Sequence, residues 1–139
     1  MKDKYFVDTN IFVYSFDPRE PAKCRKAQKI IEDALSSHKG IISYQVIQEF
    51  VNVAIRKFSK PLSTLDCKLY LDQVLFPLCE IYPSSELYKR ALDVKEETGF
   101  SFYDSLIVSS AIEGGCGIIY SEDLQNNQSI LGVTIRSPF

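Results

Sequence analysis

Histidine is nearly absent from this chain, which has one among its 139 residues, His38. It lies in the segment 36–40, where a predicted helix ends, and a solvated position suits it better than the role of a catalytic base. The sequence also lacks the Gly-x-Ser-x-Gly motif of serine hydrolases and the glycine-rich P-loop that cradles phosphates. These absences argue against histidine-dependent, serine-nucleophile and P-loop chemistry.

Cysteine is present but unpatterned, because the four cysteines form no C-x-x-C pair and have no regular spacing. Such a pattern predicts buried, reduced thiols in a cytoplasmic protein. The opening residues 1–3 lead at once into a predicted strand, so we expect no signal peptide. No stretch reaches the roughly 18 apolar residues that a membrane span requires.

The chain has little excess charge of either sign, because its 16 basic and 18 acidic residues give a formal net charge of −2. Nucleic-acid affinity depends on neutralising phosphates, so this value alone would disfavour RNA or DNA as partners. Setting aside four acidic residues discussed below leaves a charge of +2 on the rest of the chain. Bound metal ions would then make the protein mildly basic, and net charge does not exclude a nucleic-acid ligand.

Short apolar runs alternate with helical patterns along one domain that spans residues 1–139. An apolar fraction of 45% is sufficient for a core. Runs 4–7, 40–43 and 117–120 predict buried parallel strands, and further strands are predicted at 79–82 and 133–136. Helices are predicted at 21–37, 44–58, 63–77, 84–98 and 102–113, with Pro21 as a first helical residue, Ser43 as a cap and Gly99 as a terminator. This alternation predicts a three-layer α/β/α fold with a parallel sheet of four to five strands.

Four acidic residues lie at or near the ends of these elements: Asp8, Glu49, Asp104 and Asp123. Asp8 and Asp123 follow predicted strands, and ligands of parallel sheets bind at the carboxyl ends of strands. A carboxylate beside buried surface requires a partner. None of the four has a lysine or arginine next to it in sequence, so a divalent cation is the simplest common partner.

Asp104 has the most specific spacing, since Asp104, Ile107, Val108 and Ala111 follow the i, i+3, i+4, i+7 pattern. The acid is therefore expected at the start of a buried stripe, in the first helical turn where the helix dipole favours it. Glu49 lies at the flank of its own stripe. Taken singly, Asp104 also fits a helix start, Asp8 a turn, and Glu49 and Asp123 a solvated surface.

Four motifs in order carry a resemblance to a known family. They are Phe6-Val7-Asp8-Thr9-Asn10, Ile42-Ser43-Tyr44-Gln45-Val46 leading to Glu49-Phe50, Phe102-Tyr103-Asp104-Ser105-Leu106-Ile107, and Ser121-Glu122-Asp123-Leu124. Together they span the chain, which resembles a PIN domain and, among PIN domains, the VapC-type ribonuclease toxins. The resemblance implies that Asp8, Glu49, Asp104 and Asp123 are the catalytic residues and form a Mg²⁺ or Mn²⁺ site.

The same resemblance implies supporting roles for Thr9 and Asn10 beside Asp8, and for Ser121 beside the fourth acid. Glu122 is an alternative fourth ligand, but Asp123 holds the usual place two residues after a hydroxyl side chain. The implied activity is a metal-dependent endoribonuclease that hydrolyses RNA phosphodiester bonds with a metal-activated water. The implied partners are RNA, a second copy of the chain and an antitoxin that places a basic side chain near Asp8 and Asp104.

Several alternatives stay open. A catalytically silent PIN fold that binds RNA or assembles with other proteins has the same motifs, and a housekeeping nuclease is as consistent as a toxin. A haloacid-dehalogenase-type phosphatase is disfavoured, because Asn10 replaces its second aspartate.

The candidate phosphate contacts are basic residues that would otherwise be solvated: Lys23, Arg25, Lys26, Lys29, Arg56, Lys57 and Lys60. Tyr44 and Phe102 are candidates for base stacking or for the core. Apolar side chains in 58–77 predict an exposed strip that contributes to a homodimer.

Overall fold

The apolar runs form a central sheet in the computed structural model, which describes residues 3–139 and contains six strands within them. The strands are β1 Tyr5–Val7, β2 Gly40–Ser43, β3 Cys79–Ile81, β4 Ile118–Tyr120, β5 Ser129–Ile130 and β6 Val133–Arg136. Their order is β3-β2-β1-β4-β6-β5, and every neighbouring pair is parallel except β5 with β6. The predicted α/β class is confirmed. The predicted number of four to five strands is wrong, because β5 has two residues and leaves no readable sequence pattern.

Helices connect the strands at all five predicted segments. They are α1 Thr9–Tyr14, α2 Pro21–Ser37, α3 Tyr44–Arg56, α4 Thr64–Tyr70, a π-helical turn Leu71–Leu75, α5 Phe76–Leu78, α6 Ser85–Thr98 and α7 Phe102–Glu113. The predicted helix 63–77 is thus interrupted by a π turn, and α1 was not predicted because its first residues also fit a turn. Gly99 ends α6 in the left-handed conformation, with φ of 77°. Ser43 occupies the cap position of α3, but its hydroxyl makes no capping hydrogen bond.

Helices cover both faces of the sheet. All residues of β1 and β2 are buried, as expected for parallel strands between two helical layers. Helix α2 packs against β2, and α7 packs against β2, β4 and β6. The three-layer arrangement places the carboxyl end of β1 in the middle of the molecule, with β2 on one side and β4 on the other.

The predicted exposed strip in 58–77 is wrong for most of its members. Phe58, Leu62, Tyr70 and Leu71 are half-buried and pack against the core, and Leu75 is fully buried. The short helix α4, the π turn and α5 bring these side chains onto the core from a segment that a single straight helix would leave partly outside. The large apolar side chains of this segment that stay exposed are Leu65, Leu69 and Phe76.

Two expectations about the whole chain can be compared with the structure. Cys67, Cys79 and Cys116 are buried and Cys24 is half-buried, with no disulfide between them. Within the described part of the chain, none of the helices has the length and apolarity needed to cross a membrane.

Candidate active site

The four predicted acids line one pocket of about 460 Å³. Asp8 follows β1, Asp123 follows β4, Glu49 lies in α3, and Asp104 lies in the first turn of α7. The pocket lies beside the point where the chain order across the sheet reverses, between β1 and β4, which is where open α/β sheets bind ligands. The other lining residues are Thr9, Asn10, Val13, Tyr14, Gln45, Asn52, Val53 and Ile107.

Asp8 is the buried acid of the four, with 7% of its surface exposed. Its Oδ1 accepts a hydrogen bond from the Thr9 backbone N–H at 2.7 Å, and its Oδ2 accepts one from the Ser121 hydroxyl at 2.8 Å. Burial raises the pKa of Asp8 to about 7, the two hydrogen bonds oppose this rise, and the negative charges of Glu49 and Asp123 add to it. Asp8 is therefore an oriented carboxylate whose charge has no cationic partner among residues 3–139.

Glu49 is held at both of its carboxylate oxygens. The Thr9 hydroxyl donates to Oε1 at 2.6 Å, and Gln45 Nε2 donates to Oε2 at 3.3 Å. Gln45 Nε2 also donates to the Tyr103 carbonyl at 3.2 Å, which links α3 to α7 next to Asp104. Thr9 thus supports Asp8 through its backbone, as a capping contact, and orients Glu49 through its side chain.

Ser121 connects the first and fourth acids. Its hydroxyl is fully buried, donates to Asp8, and accepts hydrogen bonds from Asn10 Nδ2 at 3.2 Å and the Asp123 N–H at 3.2 Å. The Asn10 side chain also accepts a hydrogen bond from the Glu122 N–H at 3.2 Å. Asn10 and Ser121 therefore fix the loop after β4 against the start of α1.

Glu122 is turned away from the pocket and paired elsewhere. Its carboxylate accepts a hydrogen bond from the Tyr14 hydroxyl at 2.7 Å and forms an ion pair with Lys23 at 2.8 Å. The Lys23 ammonium and then the Tyr14 hydroxyl lower the pKa of Glu122. Asp123 lines the pocket instead. The geometry thus favours Asp123 over Glu122 as the fourth acid of the site.

Asp104 lies at the mouth of the pocket, and its side chain is exposed. The Ser101 hydroxyl accepts a hydrogen bond from the Asp104 N–H at 3.1 Å and caps α7. The predicted burial of Ile107, Val108 and Ala111 is confirmed, but the buried surface is wider than one stripe, because every residue from 105 to 111 of this helix is buried. Asp104 reaches the site because it belongs to the first turn, ahead of the part of α7 that is enclosed by the protein.

Gln45, Asn52 and Tyr14 line the pocket without having been predicted as site residues. The signal that identifies the first two is their spacing with Glu49, at i−4 and i+3 on one face of α3. Tyr14 follows Asn10 by four residues on α1, and the short α1 was itself not predicted.

The predicted basic residues differ in their surroundings. Lys23 is engaged with Glu122, whereas Arg25 and Lys26 are exposed on α2. Arg56 donates to the Asn52 side chain at 3.4 Å, and Asn52 lines the acidic pocket. Lys57 and Lys60 line a neighbouring pocket. No lysine or arginine lines the acidic pocket itself, as far as residues 3–139 are concerned.

The donor chemistry of the pocket fits a hard divalent cation, because its charged side chains are carboxylates without basic partners in its lining. Among residues 3–139, no three Asp, Glu, His or Cys side chains converge closely enough to hold one ion by themselves. Mg²⁺ commonly takes one or two carboxylates and completes its shell with water and substrate phosphate. The arrangement therefore suits an ion held only in part by the protein.

Comparisons with known proteins agree with this fold. The sequence matches the family model of the PIN domain over residues 5–127. A search of curated proteins found no matching sequence.

Among solved structures, the fold is similar to a toxin–antitoxin complex from Klebsiella pneumoniae, with a TM-score of 0.70 and 17% identity over 98% of each chain. VapBC2 from Rickettsia felis, solved with a fragment of promoter DNA, gives a TM-score of 0.67 and 17% identity over 96% of this chain and 97% of that one. VapC20 from Mycobacterium tuberculosis, described as a sarcin–ricin loop cleaving toxin, gives a TM-score of 0.58 and 19% identity over 86% of this chain and 90% of that one. Because the family model covers most of the sequence, the chain belongs to the PIN domain family.

Proposed function

We propose that this protein is a divalent-metal-dependent endoribonuclease and the toxin of a toxin–antitoxin pair. The observation that carries the proposal is the pocket lined by Asp8, Glu49, Asp104 and Asp123, which come from four separate segments. Similar folds belong to toxin–antitoxin complexes, and one of them is described as cleaving the sarcin–ricin loop. The acids and the fold together favour phosphodiester hydrolysis in RNA.

One or two of these four carboxylates at a time would hold Mg²⁺ or Mn²⁺, and water and the substrate phosphate would complete the shell of the ion. When bound, the ion supplies Lewis-acid activation of water and neutralises charge on the phosphate. The protein fixes its own oxygens in advance, since Thr9 and Gln45 orient Glu49, and Ser121 orients Asp8. One of the four carboxylates would also orient or deprotonate the attacking water. No side-chain nucleophile is needed.

Cleavage of a mixed RNA pool by the purified protein tests this function. We expect cleavage with Mg²⁺ or Mn²⁺, none with a chelator, and at least a hundredfold loss in Asp8→Asn and in Asp104→Asn, a typical scale for a site of this kind. Asp93→Asn is the matched control, because Asp93 is exposed on α6 and lies outside the pocket. Near wild-type cleavage by either site variant contradicts the assignment. RNA binding without cleavage by the wild type would identify a catalytically silent PIN module.

An apolar groove beside the acidic pocket supports the antitoxin part of the proposal. The groove has a volume of about 420 Å³ and is lined by Phe16, Phe58 and Leu62, with Lys57 and Lys60 among its polar residues. It shares Val13 and Val53 with the acidic pocket. An antitoxin segment that places an apolar side chain in the groove would therefore reach the acids with a neighbouring basic side chain.

Copurification with the protein encoded by the adjacent small gene tests the antitoxin contact. Leu62→Ser should weaken copurification of that partner and keep nuclease activity, because Leu62 lies in the groove and outside the acidic pocket, and serine places no charge on a position that packs against the core. Leu131→Ser is the control, since Leu131 is an exposed apolar residue outside the groove. Equal copurification with both variants would place the antitoxin elsewhere.

We also propose that the chain forms a homodimer through the exposed part of segment 58–77. Leu65, Leu69 and Phe76 are 66%, 44% and 44% exposed, which is unusual for large apolar side chains that lie close together in sequence. Light scattering should give the mass of a dimer for the wild type and of a monomer for a Leu65→Asp, Leu69→Asp variant. A monomeric wild type at micromolar concentration would refute the homodimer.

A further inference from the structure

Asp123 is the acid of the candidate site that has the fewest contacts of its own. Glu49 and Asp104 lie in helices, and Asp8 accepts a hydrogen bond at each of its carboxylate oxygens. Asp123 lies in the loop after β4, and no group among residues 3–139 donates a hydrogen bond to its carboxylate. The place of Asp123 in the pocket is therefore set by the residues next to it in the chain.

Glu122, which precedes Asp123, is fixed at three of its atoms. Its N–H donates to the Asn10 side chain at 3.2 Å. Its Oε1 accepts a hydrogen bond from the Tyr14 hydroxyl at 2.7 Å, and its Oε2 accepts one from the Lys23 ammonium at 2.8 Å. With both oxygens engaged, the Glu122 side chain lies outside the acidic pocket, whereas Asp123 lines it.

The two side chains that bind the Glu122 carboxylate also contact each other. Tyr14 is the last residue of α1, and its ring makes an edge contact with the Phe139 ring at 5.1 Å. The Lys23 ammonium, on α2, lies 4.8 Å from the centre of the Tyr14 ring and 5.6 Å from that of Phe139, which are cation–π distances. We call Tyr14, Lys23 and Glu122 the Glu122 network. It attaches the loop after β4 to α1 and α2 at once.

A contribution to folding stability does not account for this network. The side chains of Lys23 and Glu122 are 32% and 29% exposed, and ion pairs with this exposure contribute little to stability. Lys4 and Glu80 form a similar pair, with the same distance of 2.8 Å and exposures of 32% and 47%, and neither residue lines the acidic pocket. The Glu122 network differs from that pair because it also fixes the neighbour of a pocket carboxylate.

We propose that Lys23 and Tyr14 are positioning residues, which act through Glu122 to hold Asp123 at the metal site. The inference rests on the proposed function, since it requires a divalent ion in the acidic pocket, and it adds what sets the affinity for that ion. Mutation of groups that orient metal ligands typically weakens metal binding by about tenfold or more. Lys23 thereby has a role other than contact with an RNA phosphate.

The direction of the effect separates positioning from simple electrostatics. Removing the positive charge of Lys23 makes the surroundings of the pocket more negative, and Coulomb attraction alone would then strengthen the binding of a divalent cation. Loss of positioning weakens the binding instead, because Asp123 is no longer held in place. Weaker Mn²⁺ binding by a Lys23→Met protein therefore cannot result from the lost charge.

Mn²⁺ binding to the full chain without RNA tests the positioning role. The electron paramagnetic resonance signal of free Mn²⁺ gives a dissociation constant that does not depend on cleavage. Lys23→Met should raise this constant by about tenfold, and Tyr14→Phe, which removes only the hydroxyl, should raise it as well. Lys23→Arg keeps a cation that pairs with carboxylates and should bind Mn²⁺ within about twofold of the wild type. Lys4→Met is the matched control and should bind Mn²⁺ as the wild type does.

The same measurement in an Asp123→Asn protein shows whether the network acts through Asp123. Asp123→Asn should itself weaken Mn²⁺ binding. Adding Lys23→Met should then change the dissociation constant by less than about twofold, because the carboxylate that Lys23 helps to position is gone. An equal effect of Lys23→Met with and without Asp123 would overturn the inference.

Other results would overturn it as well. Unchanged Mn²⁺ affinity in both Lys23→Met and Tyr14→Phe would do so, as would tighter binding by Lys23→Met. Lower affinity of Lys23→Met for a labelled oligouridine, with unchanged Mn²⁺ affinity, would instead make Lys23 a phosphate contact. The inference and the proposed function fail separately. Mn²⁺ binding that depends on the network, without RNA cleavage, removes the nuclease function and leaves the positioning role, whereas RNA cleavage with Mn²⁺ binding that is independent of the network does the reverse.

Discussion

At the scale of single residues, the hydroxyl of Ser121 has the largest share in organising the site. It donates to Asp8 and accepts from the Asn10 side chain and from the N–H groups of Asp123 and Leu124. One buried oxygen thereby fixes two of the four acids relative to each other. An alanine at this position leaves these groups buried without a shared partner.

Ser121→Ala should therefore lower the free energy of unfolding by about 1–3 kcal/mol and reduce RNA cleavage more than the stability loss explains. Urea unfolding and cleavage rates measure the two effects. Ser109→Ala is the matched control: Ser109 is equally buried, and its hydroxyl donates to the Leu87 carbonyl at 2.8 Å away from the site. The control should lose comparable stability and keep its activity. A fully active Ser121→Ala protein would show that the hydroxyl is structural only.

Asp8 gives the metal-free protein a distinctive dependence on pH. Its pKa is about 7 in the folded protein, against an ordinary value of 3.8. Between these values the unfolded chain has released this proton while the folded protein retains it. Stability must therefore fall as pH rises from about 4 to about 7, because ionised Asp8 is less stable in the buried pocket than in water.

Asp8→Asn should remove this dependence, since asparagine does not titrate. In the presence of a chelator, we expect the variant to be more stable than the wild type by about 1–4 kcal/mol near pH 8, and about equally stable near pH 4. Urea unfolding at the two pH values measures the difference, and Asp93→Asn should show no such change. A variant that is less stable than the wild type at both pH values would contradict the assigned cost of the buried charge.

At the scale of elements, the sequence predicted what depends on long or regular patterns. The ends of α2, α6 and α7 were predicted to within one residue. The signals were Pro21, Gly99 and the apolar periodicity of 84–98 and 102–113. The two-residue strand β5, the six-residue helix α1 and the π turn at 71–75 were not predictable, because packing with other parts of the chain determines such short elements. The strip in 58–77 was misjudged for the same reason, since only the π turn shows which side chains reach the core.

In the candidate site as well, some features were predictable from the sequence, and others depend on contacts between distant parts of the chain. The acids after β1 and β4 were predictable because the carboxyl ends of parallel strands meet at one edge of the sheet. The role of Thr9 as a hydrogen-bond donor to Glu49 was not predictable, because it depends on a contact between residues 40 positions apart in the chain. The contacts of Glu122 with Lys23 and Tyr14, which leave Asp123 in the pocket, were also not predictable, because they depend on where α1 and α2 lie in the fold.

Close packing between α2 and the sheet depends on Gly40, the first residue of β2. A Cβ atom there would lie 2.4 Å from the Ala34 Cβ and 2.7 Å from Tyr5 Cε2. Gly40→Ala should therefore destabilise the protein by about 1–3 kcal/mol, because α2 must move away from the sheet. Gly114→Ala is a useful comparison, since its Cβ would meet mainly the flexible end of Ile41 at 2.2 Å. We expect Gly114→Ala to lower the melting temperature less than Gly40→Ala does. Equal decreases would show that α2 moves as easily as the end of the Ile41 side chain.

At the scale of the whole molecule, the site concentrates negative charge that the rest of the chain does not balance locally. Lys23 forms an ion pair with Glu122, the residue that precedes the fourth acid in the sequence. Folding thus brings four carboxylates to one pocket, and no lysine or arginine of the described part of the chain lines that pocket. On the proposed function, a divalent ion would relieve this repulsion only in the folded state, so metal binding would be coupled to folding.

Mn²⁺ or Mg²⁺ should therefore raise the melting temperature of the protein by about 5–10 °C at an ion concentration well above the dissociation constant. The rise should disappear in an Asp8→Asn, Asp104→Asn double variant, because that protein keeps two of the four carboxylates and lacks both the buried and the mouth acid. Differential scanning fluorimetry at constant ionic strength measures the shift, and an Asp93→Asn protein should respond as the wild type does. An equal rise in the wild type and the double variant would mean that the ions act on the surface at large, and the metal site would then have to be sought outside this pocket.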